Sequence, residues 1–429
     1  MKLKKFTRLL LFAFVIACIA PSCVKEGPMG LTGTGVDGKD GANGKDANAS
    51  CLVCHTTSVM DQKKAEYQLS KHFFGTSSSR NTKYCARCHT NDGFQEITSN
   101  GKFVVANDIP AANRINCSTC HKHSAFDFTG DTATYILRTT TPVSLNYFNN
   151  AKTQDFGKVD NLCSTCHQIR GVTSINYIVD PAVIPNVIKT FSQLPFFPLD
   201  NTKEATTVKY QVGQSFAVHD GNQSNLFSGI NGYEYAGKTY TRTWKHSGND
   251  CIDCHMNDYD ATTKTGGHTL IVNEAKCVAC HTLTSATDKI AITQAAITAK
   301  IAELGEELTK KKVFKKTTNT SGVVSYSAVP SHDFYGVLFP TTASTTLFAT
   351  ALVGANTVNP TTGLVVYAST VTLAVDKDFA LRIGREWKYG ELGAAYNFGY
   401  INSELSLGVH NPTYAMQILQ NSIDYLKSY

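Results

Sequence analysis

The sequence predicts a mainly α-helical chain with much irregular loop, a core supplied largely by bound groups, and a small β-hairpin region in its C-terminal part. Three observations predict this. Six Cys-x-x-Cys-His motifs are strung through the first two thirds of 429 residues. A helical periodicity runs over residues 286–312. A Thr-rich, β-branched stretch follows over 317–375.

The first 23 residues form an address. Lys2, Lys4, Lys5 and Arg8 precede an apolar run over 9–20, too short to span a bilayer. Small residues and Cys23 close it, the pattern of a lipoprotein signal in which Cys23 carries the lipid. Export to the cell envelope is expected, as an outer-membrane lipoprotein facing the periplasm or the cell surface. Without this leader 36 basic residues face 34 acidic ones, so the formal charge falls from +6 to near neutrality. The one basic cluster of the body is Lys310, Lys311, Lys312, Lys315 and Lys316, which suits a solvated helix end; nucleic acid is not an expected partner.

Residues 24–49 form a spacer. Gly27, Gly30 and Gly33, then Gly35, Gly38, Gly41 and Gly44 keep a three-residue period on either side of one skip, a collagen-like pattern. Too few repeats are present for a stable triple helix, so an extended spacer is expected; the pattern also admits a trimer.

Residues 50–285 hold the chemistry. The motifs are Cys51–Cys54–His55, Cys85–Cys88–His89, Cys117–Cys120–His121, Cys163–Cys166–His167, Cys251–Cys254–His255 and Cys277–Cys280–His281, and they use every cysteine after Cys23. Two thiols separated by two residues match the two vinyl groups of haem, and the histidine that follows is placed to bind the iron. Zinc ribbons pair cysteines in the same way but need no histidine at the next position six times in six. Disulfides need no fixed spacing, and a redox Cys-x-x-Cys occurs once or twice. Six covalently attached haems c are therefore expected. Roughly 380 body residues for six macrocycles is too little chain to enclose each one separately, so the haems are expected to pack together as the core.

Seven histidines lie outside the motifs: His72, His123, His219, His246, His268, His332 and His410. They are candidate ligands for the second axial position of each iron. Methionine is scarce, with Met60, Met256 and Met416 the only ones in the body. Bis-histidine ligation is the default expectation, and it gives lower potentials than His/Met ligation. His123 follows His121 too closely to share its iron and would serve a neighbour.

Several strings, CARCHTNDGF, NLCSTCHQIR, HDGNQSNLFSG, KHSGNDCIDCHM, GGHTL, CVACH and the terminal GVHNPTYAMQILQNSI, resemble the multihaem cytochromes of the cytochrome c nitrite reductase and hydroxylamine oxidoreductase superfamily. The resemblance implies that His255 and His281 are proximal ligands of a close pair, and that His268 and His410 are distal ligands. It extends to fold and haem packing. The ammonia-forming members usually carry Cys-x-x-Cys-Lys at the catalytic haem and five haems, whereas all six motifs here end in histidine.

Residues 286–429 complete the chain. Ile290, Ile297, Ile301, Leu304 and Leu308 repeat at helical spacing over 286–312, with Thr287 or Asp288 as N-cap. Hairpins are expected over 317–375. A long helix is expected over 378–404, with Phe379, Ile383 and Trp387 on one face, and a final helix is expected to start at Asn411-Pro412. Between the motifs the expectation is short helices and loops.

The expected role is electron transfer along a chain of bis-histidine haems, with redox proteins or a terminal acceptor as partners and Cys23 as the link to the membrane. No catalytic residue is assigned. The alternative is multi-electron reduction or oxidation of a small nitrogen or sulfur oxyanion at one open haem.

Overall fold

A computed structural model of the chain describes residues 57–429 apart from 76–79, 103–104, 123–136, 146–152, 171, 179–187, 190–200, 206–209, 244–245, 247, 280, 282–285, 330–346, 353–356, 359–364, 367–369 and 376–386. Cys23, the glycine-rich spacer, Cys51, Cys54, His55, His123, Cys280 and His332 lie outside the described residues. The architecture is mixed: helices dominate, and small antiparallel sheets and loops join them. By contacts the chain divides into residues 1–60 and 61–429.

The motif-bearing part is built from short pieces. Helices α1 (Thr57–Gln68), α2 (Lys71–Phe74), α3 (Ala86–His89), α4 (Asn91–Asn100) and α5 (Cys117–Cys120) come first, then α6 (Lys158–Ser164), α7 (Gln223–Phe227) and α8 (Cys251–His255). The side-chain core here is thin: Ala86, Phe94, Ile97, Val105 and Leu162, with Cys120 and Cys166 packed against it. Gly93 lets α4 close on α3, because a Cβ there would sit 2.5 Å from the carbonyl of Ala86.

Strands interrupt this region, where only helices and loops were expected. β1 (Val143–Ser144) pairs with β2 (Thr153–Gln154). The longer strands β3 (Val172–Ile178) and β5 (Tyr210–Val218) pair antiparallel around an irregularity between Thr173 and Ile175. With β4 (Ile188–Lys189), β9 (Thr357–Val358) and β10 (Val365–Val366) they form a five-stranded sheet in the order β5-β3-β4-β10-β9. In the described end of β5, Phe216 and Val218 are buried and Ala217 between them is exposed, as a half-buried strand requires.

The C-terminal part has a side-chain core of its own. Helix α9 (Ala286–Lys310) packs with α10 (Tyr389–Asn402) and α11 (Pro412–Lys427). Ile297, Leu304, Leu308, Leu392, Tyr400, Ile418 and Leu426 are fully or almost fully buried between them. Helix α9 starts at Ala286, so Thr287 and Asp288 lie inside it and not at its cap. β6 (Phe314–Thr318) and β7 (Val324–Ala328) form a hairpin closed by Asn319, whose side chain accepts from Ser321 N and Val323 N. β8 (Leu347–Leu352) pairs with β11 (Thr370–Val375).

Of the helix expected over 378–404, residues 378–386 with Phe379 and Ile383 lie outside the described residues. Lys388 is extended (φ −84°, ψ 156°) and its N–H donates to Glu391 Oε2, so α10 begins at Tyr389, after Trp387. Asn411 caps α11 as expected: its Oδ1 accepts from Tyr414 N at 3.0 Å, with Pro412 in the first turn. Met416 packs against the core and Met60 is exposed. Among the described residues no helix is long and apolar enough to cross a membrane.

The segment 218–240 is strapped onto these helices. Asn397, fully buried, accepts from Tyr233 N at 2.7 Å and donates to Tyr233 O and Ser422 Oγ. Tyr396 and Tyr400 donate to the carbonyls of Asn231 and Ile230. Asn222 donates to Tyr400 O and Gln223 to Glu404 O. This strap brings a loop containing His219 against the turn that carries His410.

Candidate haem-binding centre

Among the described residues the motif segments run as short helical turns. The histidine N–H donates to the carbonyl of the first cysteine in four motifs: His89 to Cys85, His121 to Cys117, His167 to Cys163 and His281 to Cys277, at 2.9–3.2 Å. In a helical turn, residues three and four apart share a face, so both sulfurs and the imidazole of a motif project to one side. Local caps hold the turns. Asn116 accepts from Ser118 N, and Thr119 Oγ1 accepts from Asn116 N while donating to Asn91. Asp253 accepts from Asp250 N ahead of α8. The nine described motif cysteines are free thiols, and no three Cys, His, Asp or Glu side chains converge on a common point among the described residues.

Five motif histidines each face one histidine from outside the motifs. The ring centres lie 5.9 Å apart for His72 and His167, 6.4 Å for His89 and His219, 6.3 Å for His121 and His268, 5.9 Å for His246 and His281, and 6.0 Å for His255 and His410. Two imidazoles on opposite faces of one metal need two bonds of about 2 Å plus two steps of about 1.1 Å from nitrogen to ring centre, close to 6.2 Å in all. The rings are too far apart to stack and too close to admit a side chain. A haem iron fits this spacing, and the thiols beside each motif histidine are placed to tether the macrocycle.

The second ring nitrogen is occupied at four of these histidines. His167 Nδ1 donates to Gln223 Oε1 at 3.0 Å, and His255 Nδ1 donates to the carbonyl of Leu270 at 3.1 Å. His219 Nδ1 bonds the carbonyl of Asp220, and His410 Nδ1 bonds the Glu404 carboxylate. With Nδ1–H so engaged, Nε2 of His167, His255 and His410 carries the lone pair a metal needs, whereas at His219 the guanidinium of Arg170 lies 3.2 Å from Nε2. Burial, the largest cause, pushes His72 and His89 down to about 4 and also lowers His219, His246, His255 and His268, so the imidazoles are neutral at physiological pH.

His268 is presented by a two-glycine turn. Gly266 and Gly267 have φ of +78° and +55°, and a Cβ on Gly267 would meet Glu66 Oε2 at 2.5 Å. That carboxylate, almost fully buried on α1, accepts from His268 N at 2.9 Å and lies 3.6 Å from its Nδ1. Lys63 and Gln62 also bond Glu66, and these bonds outweigh burial to lower its pKa.

The motifs meet one another through motif Cys163–Cys166–His167. Cys88 Sγ lies 3.9 Å from Thr165 O, next to Cys166 in the chain. On its other side, the Cys251 N–H donates to Asp160 Oδ1 at 2.6 Å, three residues before Cys163. The sequence singled out the ten facing histidines but missed Gln223, Glu404 and Glu66, which sit behind them. No local pattern marks those three, because each reaches its histidine through the tertiary fold.

Residues 59–122 match the model of the family described as cytochrome c554 and c-prime. No curated protein matches the sequence significantly. Among solved structures the chain is similar to the crystal structure of outer cell wall cytochrome OcwA, with 14% identity, a TM-score of 0.40, and coverage of 85% of this chain and 50% of that one. The chain thus spans about half the length of that cytochrome. The narrower nitrite reductase and hydroxylamine oxidoreductase group is not among these matches; what the chain resembles here, over α1 to α5, is a family of c-type cytochromes.

Proposed function

We propose that the chain is an exported multihaem cytochrome c that carries electrons through six covalently attached haems. The observation that carries this reading is the repeated His–His gap: five motif histidines each face a different histidine at 5.9–6.4 Å. When bound, haem c supplies a one-electron Fe(III)/Fe(II) couple.

The residues divide the work. Cys85, Cys88, Cys117, Cys120, Cys163, Cys166, Cys251, Cys254 and Cys277, with Cys51, Cys54 and Cys280, form the thioethers. His89, His121, His167, His255 and His281 would hold an iron from the motif side, and His219, His268, His72, His410 and His246 are the residues that would hold it from the facing side. His55 completes the set, with His123 or His332 opposite it. Histidines on both sides close each centre to substrate, which favours a conduit over an oxyanion reductase; the reductase reading would rest on the Cys51–His55 motif alone. The leader with Cys23 suits envelope export and a lipid anchor, and haem attachment itself takes place outside the cytoplasm. Redox proteins or a terminal acceptor are the partners this role requires.

Low-temperature EPR of the oxidised, haem-loaded protein tests the reading. A low-spin spectrum, with one haem equivalent turning high-spin in His72→Ala, is expected. A high-spin signal in the unmodified protein would favour the oxyanion reductase.

A further inference from the structure

We propose that Gln223 is a positioning residue shared by two centres: its one side chain orients His167 directly and His410 through Glu404, and so locks the ring planes of the His72–His167 and His255–His410 pairs to each other. The inference rests on the proposal that haems occupy the His–His gaps, and it adds the residue that couples two of them.

Both ends of the amide are engaged. Gln223 Oε1 accepts from His167 Nδ1 at 3.0 Å, and Gln223 Nε2 donates to the carbonyl of Glu404 at 3.0 Å. That carbonyl can only accept, so the amide N–H must face it. The amide oxygen is left for His167, whose Nδ1 must then carry the proton and whose Nε2 keeps its lone pair. The fully buried Glu404 carboxylate in turn bonds His410 Nδ1, and it closes the turn behind it by accepting from Ser406 N and Oγ at 3.1 and 2.6 Å and from Gly408 N at 3.4 Å. A ligating imidazole can turn about its metal–nitrogen bond until its other nitrogen is held. Here the two holders are in series. The rings they hold meet the facing rings at 45° for His72–His167 and 39° for His255–His410.

The mount is tied down on both sides. Helix α7 rides on motif Cys163–Cys166–His167: Ser224 N donates to His167 O at 3.1 Å, Ser164 Oγ donates to Ser224 Oγ at 2.6 Å, and Ile169 N donates to Asn225 Oδ1 at 2.6 Å. The same segment is fastened to the end of α10. Asn222 Nδ2 donates to Tyr400 O at 2.8 Å, Ser403 Oγ donates to Val218 O at 2.8 Å, and Gly221 N donates to Ser403 O at 3.4 Å. Asn222, Asn225 and Glu404 are fully buried, which shelters these bonds from water. Turning either imidazole therefore means moving Gln223 or Glu404 against a frame that holds both.

Low-temperature EPR of the full haem-loaded chain tests this, because the g values of a low-spin ferric haem follow the angle between its two imidazole planes. His72→Ala and His410→Ala identify the two components by the loss of each. Gln223→Leu should shift the g values of both components and leave the others in place. Gln223→Glu keeps the size and an acceptor for His167 but loses the donor to Glu404 O; it should shift the His410 component too, and it carries the test should Gln223→Leu fold poorly. Glu404→Gln, which leaves the Glu404 backbone carbonyl in place for Gln223, should shift the His410 component alone. Asn397→Ala loosens the same strap through its bonds to Tyr233 and Ser422, and it should lower stability while shifting neither component. A His167 component unmoved in Gln223→Leu, a His410 component unmoved in either Gln223 variant, or equal shifts in Asn397→Ala would overturn the proposal. A haem content short of the motif count by pyridine haemochrome would instead overturn the functional reading beneath it.

Discussion

Replacing Gly267 by alanine should damage one centre in a way that a matched control does not. At φ +55° any side chain costs about 1–2 kcal/mol in the left-handed region. The new Cβ would also lie 2.5 Å from Glu66 Oε2 and 3.2 Å from Tyr259 Cβ. An exposed carboxylate would swing away, but this one is almost fully buried and holds His268 N at 2.9 Å and Lys63 Nζ at 3.1 Å. Displacing it weakens charge-assisted hydrogen bonds, each worth about 1.5–3 kcal/mol. The expected loss is about 3–4 kcal/mol. Gly237 has φ +71° and nothing within 4 Å of its Cβ position, so Gly237→Ala should cost only the backbone part, about 1–2 kcal/mol. Guanidinium unfolding of the haem-loaded proteins measures the difference, and EPR should show one perturbed low-spin component in Gly267→Ala alone. Equal losses in the two variants would refute the claim that Glu66 holds His268 in place.

Three further outcomes follow from the same geometry. Asn397→Ala removes a buried amide that bonds Tyr233 N, Tyr233 O and Ser422 Oγ, and should destabilise the chain by about 3 kcal/mol by chemical denaturation while the haem-to-protein ratio stays constant. Glu303 lies between Lys300 and Lys427 on α9 and α11, and their hydrogen bonds lower its pKa from 4.5; its contribution is therefore present above pH 4.5 and lost as pH falls through the lowered value, so the unfolding curves of wild type and Glu303→Gln should converge in acid. Cys117→Ala with Cys120→Ala should lower the intact mass by one haem beyond the change in side chains and remove one low-spin component.

The motifs and the candidate ligands were legible because attachment chemistry is local: two thiols and an imidazole must share one helical turn. Which histidine faces which was not legible, because His72 reaches His167 and His410 reaches His255 only after the strap over 218–240 has docked on α10 and α11. The charges behind the imidazoles were hidden for the same reason. Glu66 and His268 lie on opposite sides of most of the motif region in sequence. Helices α9 and α11 announced themselves by periodicity and by the Asn411-Pro412 start. The start of α10 at Tyr389 was not legible, because it is set by the extended backbone of Lys388 and its bond to Glu391. Strands β3 and β5 lie in the longest interval between motifs, where only short helices and loops were expected.

The central claim is that iron porphyrins are tethered at every Cys-x-x-Cys-His motif. Intact-mass spectrometry of the exported chain, paired with a pyridine haemochrome assay, tests it most directly. Six haem additions per chain, with a matching haemochrome ratio, are expected. A colourless product, or one whose cysteines carry zinc or pair as disulfides, would contradict the account.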